Sequence, residues 1–368
     1  MVREHNFSAG PAALPVEVLQ QLQEPLIEFS NANAGIMEIS HRGPAFAQVI
    51  HDAEERIRRL MGIPQDYKVL FLQGGASLQF YMLALNLLHP NEEAEYLVSG
   101  AWSKKALIEA KRVSLGCSSI WDDKEKGYTK VPKDEDYQAN PDAVYQHYTT
   151  NNTIYGTQFH HTPKASKANL VADMSSDICS RPVEVSKHAL IYAGAQKNLG
   201  PSGVTLVILA PWVLEKSKAV ASKREMGLPS MLDYALQVDK GSMFNTPNTF
   251  GIYALERVLA WQEAQGGLET LGQHNKAKAD KLYAMLDESD FWRPHAETGS
   301  RSLMNITWKN RDESLESRFL AEATQEGLHA LKGHRSVGGI RASLYNACPN
   351  ESVEALLQFM NDFEKRCG

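Results

Sequence analysis

Apolar residues recur along this chain at two different periods, and the period sorts the segments. After Gly43-Pro44, the residues Phe46, Val49, Ile50, Ala53, Ile57 and Leu60 fall at steps of three and four, with Glu54, Glu55, Arg58 and Arg59 on the other side. That spacing predicts an amphipathic helix, and Gly62 supplies its stop. The run 67–72 (YKVLFL) predicts a strand; it meets Gly74-Gly75, and helical period resumes through Phe80, Leu83 and Leu87. Segments 95–98, 143–148, 169–172, 188–193 and 204–210 predict further strands. Several are apolar, β-branched runs without clean alternation, the pattern of strands buried on both faces. The expected fold class is therefore α/β: a mostly parallel sheet with helices packed on each side.

The texture changes from about Leu255, where long helical patterns begin. A strand-like stretch follows at 302–308 (SLMNITW), and Val353, Leu356, Leu357, Met360 and Phe363 form one stripe of a closing helix. The expected division is a large domain over 16–255 and a smaller α/β domain over 256–368, joined by residues 1–15. The charged segment 122–136 (DDKEKGYTKVPKDED) is expected to be a long surface connection.

Composition acts mainly by exclusion. Lys plus Arg total 38 against 44 Asp plus Glu, a formal charge of −6. That lacks the basic excess expected of a nucleic-acid or anionic-membrane binder. The apolar runs, such as 204–210 (VTLVILA), fall far short of the ~20 residues a spanning helix needs. The opening MVREHNFSAG shows no apolar signal-peptide region. A cytoplasmic protein with no nucleic-acid or membrane partner is expected. Cys117, Cys179, Cys348 and Cys367 make no CxxC pair, so free thiols are expected. His160-His161 has no acidic or thiol residue at ligand spacing, and no metal site is expected.

Four features carry candidate chemistry. Lys197 follows an apolar strand-like run and precedes the turn Asn-Leu-Gly-Pro in HALIYAGAQKNLGPSG. An isolated lysine is ordinarily a solvated one, but this placement puts the ammonium at a strand mouth, where a lowered pKa permits a Schiff base. Asp173 also follows an apolar strand, NLVA. It could be a helix N-cap; paired with Lys197 on a neighbouring strand, it suits the aspartate that keeps a pyridine nitrogen protonated in pyridoxal phosphate enzymes. Between a strand and a helix, QGGASLQF at 73–80 could be a structural turn or a phosphate cradle. It is neither a P-loop nor a dinucleotide fingerprint. Finally, the dipeptide His-Arg occurs as His41-Arg42 and as His334-Arg335, the second followed by Arg341. Such pairs serve surface ion pairing or, in Gly-rich stretches like these, recognition of carboxylate or phosphate.

Together these residues resemble the phosphoserine aminotransferases, a class-V, fold-type-I family of pyridoxal phosphate enzymes. The resemblance runs over nearly the whole chain, through FSAGPAALP, EISHRG, YKVLFLQGGAS, NNTIYGTQF, VADMSSDICSRP, IYAGAQKNLGPSG, GSMFNTPNTF and LKGHRSVGGIRASLYNA. It implies Lys197 as the Schiff-base lysine and Asp173 as the pyridinium partner. Trp102 would stack on the cofactor ring and Thr153 would hydrogen-bond its phenolic oxygen. Ala76, Ser77 and Gln196 would hold the cofactor phosphate, together with Asn245 and Thr246 from the second subunit of a homodimer. Arg341 would clamp the substrate α-carboxylate. His41 and Arg42, with His334 and Arg335 from the other subunit, would bind the substrate phosphate or the glutamate side-chain carboxylate. The implied reaction is ping-pong transamination of 3-phosphonooxypyruvate with L-glutamate, giving O-phospho-L-serine and 2-oxoglutarate in serine biosynthesis. The resemblance leaves open whether 4-phosphohydroxythreonine, of pyridoxine biosynthesis, is also a substrate.

Two positions depart from the pattern. Some members carry GGGRGQ where this chain has GGASLQ, so backbone amides and Ser77 must do more at the phosphate. Some have a serine where this chain has Ala9. Competing expectations are a lyase or desulfurase on the same fold, with Cys348 as its only loose nucleophile candidate, and a catalytically silent protein of that fold.

Overall fold

The computed structural model describes residues 3–368. Its centre is a seven-stranded sheet. In chain order the strands are β1 Lys68–Leu72, β2 Ala94–Val98, β3 Cys117–Asp122, β4 Tyr145–Thr149, β5 Asn169–Asp173, β6 Leu190–Gly194 and β7 Thr205–Leu209. Their order across the sheet is β1-β7-β6-β5-β4-β2-β3. Only β7 runs against the rest, antiparallel to both β1 and β6. β2, β4, β6 and β7 are buried at every position; β6 and β7 spell this as apolar runs, whereas β2 and β4 also bury Glu95, Gln146, His147 and Thr149. One apolar cluster lies on each face: Phe46, Ile57, Ile191 and Leu259 belong to the first, Phe80, Leu107, Tyr192 and Val213 to the second.

The expected helix after Gly43 spans Pro44–Met61, and Phe46, Val49, Ala53 and Ile57 are its buried face. It stops at Gly62, whose φ of 62° closes the last turn as a left-handed cap, with its N–H donating to Arg58 O. Asp122 ends β3, and residues 123–136 contain two short 3-10 turns and no strand or helix beyond them, as expected of a connection.

A third apolar cluster gathers Phe7, Ala279, Trp292, Ile306, Trp308, Phe319, Met360 and Phe363 around the three-stranded sheet β8 Trp292–Pro294, β9 Asn305–Asn310 and β10 Ile340–Ser343. The strand expected at 302–308 begins later, because the Ser302 hydroxyl accepts the N–H groups of Met304 and Asn305 and turns the chain first. Strand β10 is not among the expected elements; its four residues lie among glycines that read as loop. No helix is long and apolar enough to cross a membrane among the described residues.

Candidate active site

Ligands in open α/β sheets bind beyond the carboxyl ends of the strands. Here β1, β2, β4, β5 and β6 point the same way and deliver candidate residues to that one edge. Asp173 is the last residue of β5, and Lys197 stands three residues beyond the end of its neighbour β6. Thr153 follows β4, Trp102 follows β2, and Ala76 and Ser77 follow β1.

Asp173 is 4 % exposed. Its Oδ1 accepts the Ser175 N–H at 2.9 Å and the Ser175 hydroxyl at 2.6 Å. The same hydroxyl accepts the Gly194 N–H at 3.1 Å, so Ser175 ties the end of β5 to the end of β6. Burial pushes the Asp173 carboxyl up from its ordinary value, while the Ser175 bonds and the Lys197 charge pull it down. Ser175 is not among the sequence-derived candidates, although Asp-x-Ser is the spelling of an Asx turn.

Lys197 Nζ has no hydrogen-bond partner among the described residues. Burial lowers its pKa to about 8; the charges of Asp173 and Asp177 oppose that shift and Arg341 adds to it. At pH 8 about half of such amines are neutral, against roughly one in 300 for an ordinary lysine. Asp177 is buried too, and its carboxylate accepts from Thr150 and from Gln158 Nε2. The segment FSAGPA crosses over this lysine. A Cβ on Gly10 would lie 3.2 Å from Lys197 Cε, and the Gly10 φ of 141° favours glycine as well. Ala12 N–H donates to Gln196 O at 2.9 Å, and Ala9 O accepts from the Tyr345 hydroxyl at 2.8 Å. Position 9 thus acts through its backbone, which a serine-to-alanine difference leaves intact.

Trp102 Nε1 donates to Thr153 Oγ1 at 3.1 Å, joining two of the expected cofactor contacts. Arg341, on β10, donates from Nη1 to Thr153 O at 2.8 Å; its Nε is buried without a partner, and burial lowers its pKa. Ala76 and Ser77 occupy the first turn of the helix Gly75–Leu87, where unpaired N–H groups and the helix dipole favour an anion.

The structure does not gather every candidate within one chain. His41 lies in the turn before Pro44–Met61 with its buried Nε2 unpartnered, and Arg42 is exposed. Neither bonds to the cleft among the described residues. Asn245 and Thr246 are exposed; the Thr246 carbonyl accepts from Gln73 Nε2 at 3.4 Å, a long contact. His334 is half-buried and bonds Ser336 through Nδ1 at 2.7 Å, while Arg335 is exposed. Burial lowers the His334 pKa, helped by the charges of Arg341, Arg335 and Lys105. Cys348 is buried, and burial raises its pKa, which leaves no thiolate for a desulfurase. No group of His, Cys, Asp or Glu suited to a metal ion occurs among the described residues.

The donor set fits pyridoxal phosphate on structural grounds: an unpartnered lysine amine, a buried carboxylate on the adjacent strand, an indole held in place, and a free helix N-terminus. Comparison with known proteins points the same way. The family model for aminotransferase class-V matches residues 5–356. The phosphoserine aminotransferase of Geobacillus kaustophilus is 51 % identical over 100 % of this chain and 99 % of its own. The solved phosphoserine aminotransferase of Bacillus circulans subsp. alkalophilus is 45 % identical, with a TM-score of 0.94 over 100 % of this chain and 99 % of that one. The pyridoxal phosphate-bound enzyme of Trichomonas vaginalis is 37 % identical, with a TM-score of 0.91 over 98 % of this chain and 100 % of that one. The chain belongs to the class-V aminotransferases and, within them, to the phosphoserine aminotransferase family.

Proposed function

We propose that this chain transfers the amino group of L-glutamate to 3-phosphonooxypyruvate, reversibly, yielding O-phospho-L-serine and 2-oxoglutarate. The observation that carries the reading is the pairing of Asp173 and Lys197 on adjacent parallel strand ends, with Arg341 anchored beside them on Thr153. Bound pyridoxal phosphate supplies an electron sink for the carbanion formed when the substrate Cα loses its proton. Lys197 Nζ would hold the cofactor and, once displaced by substrate, would take the proton from the substrate Cα and deliver it to the cofactor carbon that receives the amino group. Its low pKa lets a neutral amine do this near physiological pH. Asp173 holds the ring nitrogen in its protonated form. Trp102 stacks on the ring, and Thr153, already accepting from Trp102, keeps its own hydroxyl hydrogen for the phenolic oxygen. The N–H groups at Ala76 and Ser77, with Gln196, hold the cofactor phosphate. Arg341 Nε, buried and unpartnered, is aimed at a group the substrate α-carboxylate would supply.

The working unit is a homodimer on this reading. Exposed apolar side chains flank the residues that would cross to the partner: Ile27 at 81 % and Met37 at 60 % precede His41-Arg42, and Phe244 at 38 % precedes Asn245-Thr246. A second copy covering that surface would bury it and bring both His-Arg pairs and Asn245-Thr246 to a cleft. Residues 16–255 would form the large domain and 256–368 with 1–15 the small one, although the helix Thr249–Ala264 straddles that boundary. We place the enzyme in the cytoplasm, as suits a biosynthetic aminotransferase.

The test is the half-reaction of the cofactor-loaded protein, followed by absorbance, with glutamate, phosphoserine, 4-phosphohydroxythreonine and alanine. Phosphoserine and glutamate should convert the cofactor at far lower concentration than alanine. Equal response to alanine would sink the assignment. Greater efficiency with 4-phosphohydroxythreonine would move the main activity to pyridoxine biosynthesis.

A further inference from the structure

Lys105 has no part in the site as built so far. It stands three residues after Trp102 on the helix Ala101–Lys111, so the two side chains share a face. Its Nζ lies over the indole, 4.3 Å from the ring centroid. It makes no ion pair and no hydrogen bond among the described residues, in a chain whose acidic side chains outnumber its basic ones. The ring beneath it is fixed, because Trp102 Nε1 donates to Thr153 Oγ1, and Thr153 O in turn accepts from Arg341. Contacts therefore run without a gap from Lys105 through Trp102 and Thr153 to the arginine assigned to the substrate α-carboxylate. The charges of Lys105 and Arg341 are both felt at His334 of the same chain, so His334 sits beside this chain's own cleft and not, as expected from the resemblance, only beside its partner's. An uncompensated cation held over an aromatic ring is thus part of the cationic rim of the cleft.

We propose that Lys105 is a specificity-determining residue that favours the phosphate of phosphoserine over the side-chain carboxylate of glutamate. The proposal rests on the phosphoserine reading above. The physical ground is charge. A phosphate monoester carries about −1.5 to −2 near neutral pH, against −1 for a carboxylate, so each added cation on the rim stabilises it more. Lys105 is exposed, on the Trp102 end of the contacts that lead to Arg341. A group so placed acts through the field it adds and not through a fixed hydrogen bond, and that field is screened by salt.

The experiment compares the wild-type holoenzyme with Lys105→Met, which keeps the stem over Trp102 and removes only the charge, and with Lys105→Arg. Dissociation constants for phosphoserine and glutamate come from the absorbance half-reactions, and that for inorganic phosphate from calorimetry. In Lys105→Met, phosphoserine and inorganic phosphate should weaken about 5- to 20-fold and glutamate less than about threefold. The salt dependence of phosphate binding should become shallower, and Lys105→Arg should restore most of the preference. A merely structural lysine would change both substrates by the same factor, or neither, and either result overturns the proposal. If wild-type protein failed to prefer phosphoserine to alanine, the functional reading would fall first. If wild type prefers phosphoserine and Lys105→Met keeps the whole preference, only the role of Lys105 falls.

Discussion

The floor of the cleft and its rim are built on opposite terms. At the floor, Asp173 ends one strand and Lys197 stands three residues beyond the end of its neighbour, in a sheet buried on both faces. Ser175 pins the carboxylate to β6, and the Gly10 strap lies against the lysine stem. Every part belongs to one chain. At the rim, Arg42, Arg335, Lys105, Asn245 and Thr246 are exposed. Burial can therefore tune the floor, where the Lys197 pKa falls to about 8. At the rim it reaches only the half-buried His334, and the exposed residues act through the number and arrangement of their charges. On the proposed reading, proton transfer is thus a property of the single fold, whereas recognition of the side group would wait for surface supplied by a second copy.

The largest test of that contrast strikes the floor. Lys197→Ala should abolish covalent cofactor attachment and cost roughly 10²–10⁴-fold or more in turnover, the scale of a lost proton-transfer group. The measurement is absorbance of the holoenzyme together with single-turnover kinetics. A variant that kept the wild-type spectrum and rate would remove Lys197 from its role. Next comes Asp173→Asn, with two consequences. Turnover should fall about 10²–10³-fold, the cost of losing one preorganised electrostatic partner. The Lys197 pKa should also move, and the sign follows from charge: Asp173 raises it, so neutralising Asp173 should lower it below about 8. The pH dependence of cofactor capture by cofactor-free protein reads that shift directly, and an upward shift would contradict the assigned electrostatics.

Arg341 stands between floor and rim, half held by Thr153 and half free. Arg341→Lys keeps the charge and loses the fork. It should raise the KM for glutamate and phosphoserine alike by roughly 10- to 100-fold, because both carry the α-carboxylate. Unequal effects on the two substrates would show that Arg341 reads the side group instead.

The floor is also the legible part of the sequence. Strands buried on both faces spell themselves as apolar runs, and a residue just beyond such a run must emerge at the sheet edge. That spelling alone places Asp173 and Lys197 there. What the pattern does not express is local or remote. Strand β10, which carries Arg341, is only Ile340–Ser343 and sits among glycines; it exists because β9 offers it a ladder, with Arg341 opposite Thr307. The link from Trp102 through Thr153 to Arg341 joins positions 51 and 188 residues apart, a separation that spacing along a chain does not express. On the homodimer reading, the side chains that meet His41 and Arg42 come from outside a single chain's fold altogether.

The smallest effect expected is at Ser175, and it tests how the floor is tuned. Both Ser175 donors go to one oxygen of Asp173, and they lower a pKa that burial raises. Ser175→Ala removes the hydroxyl and leaves the backbone N–H, so Asp173 loses one of two bonds. A hydrogen bond to a charged group is worth about 1.5–3 kcal/mol, of which the remaining N–H and relaxation recover a part. The carboxyl pKa should therefore rise, and Asp173 should take up its proton at a higher pH. The acid limb of the kcat profile should move toward neutral pH, with turnover at its optimum falling only a few-fold. The hydroxyl also accepts from Gly194, so some loss of thermal stability should accompany the shift. An unmoved acid limb alongside lost stability would reduce Ser175 to a strand tie. A moved limb at nearly full stability would show that one hydroxyl sets the charge state on which the whole floor depends.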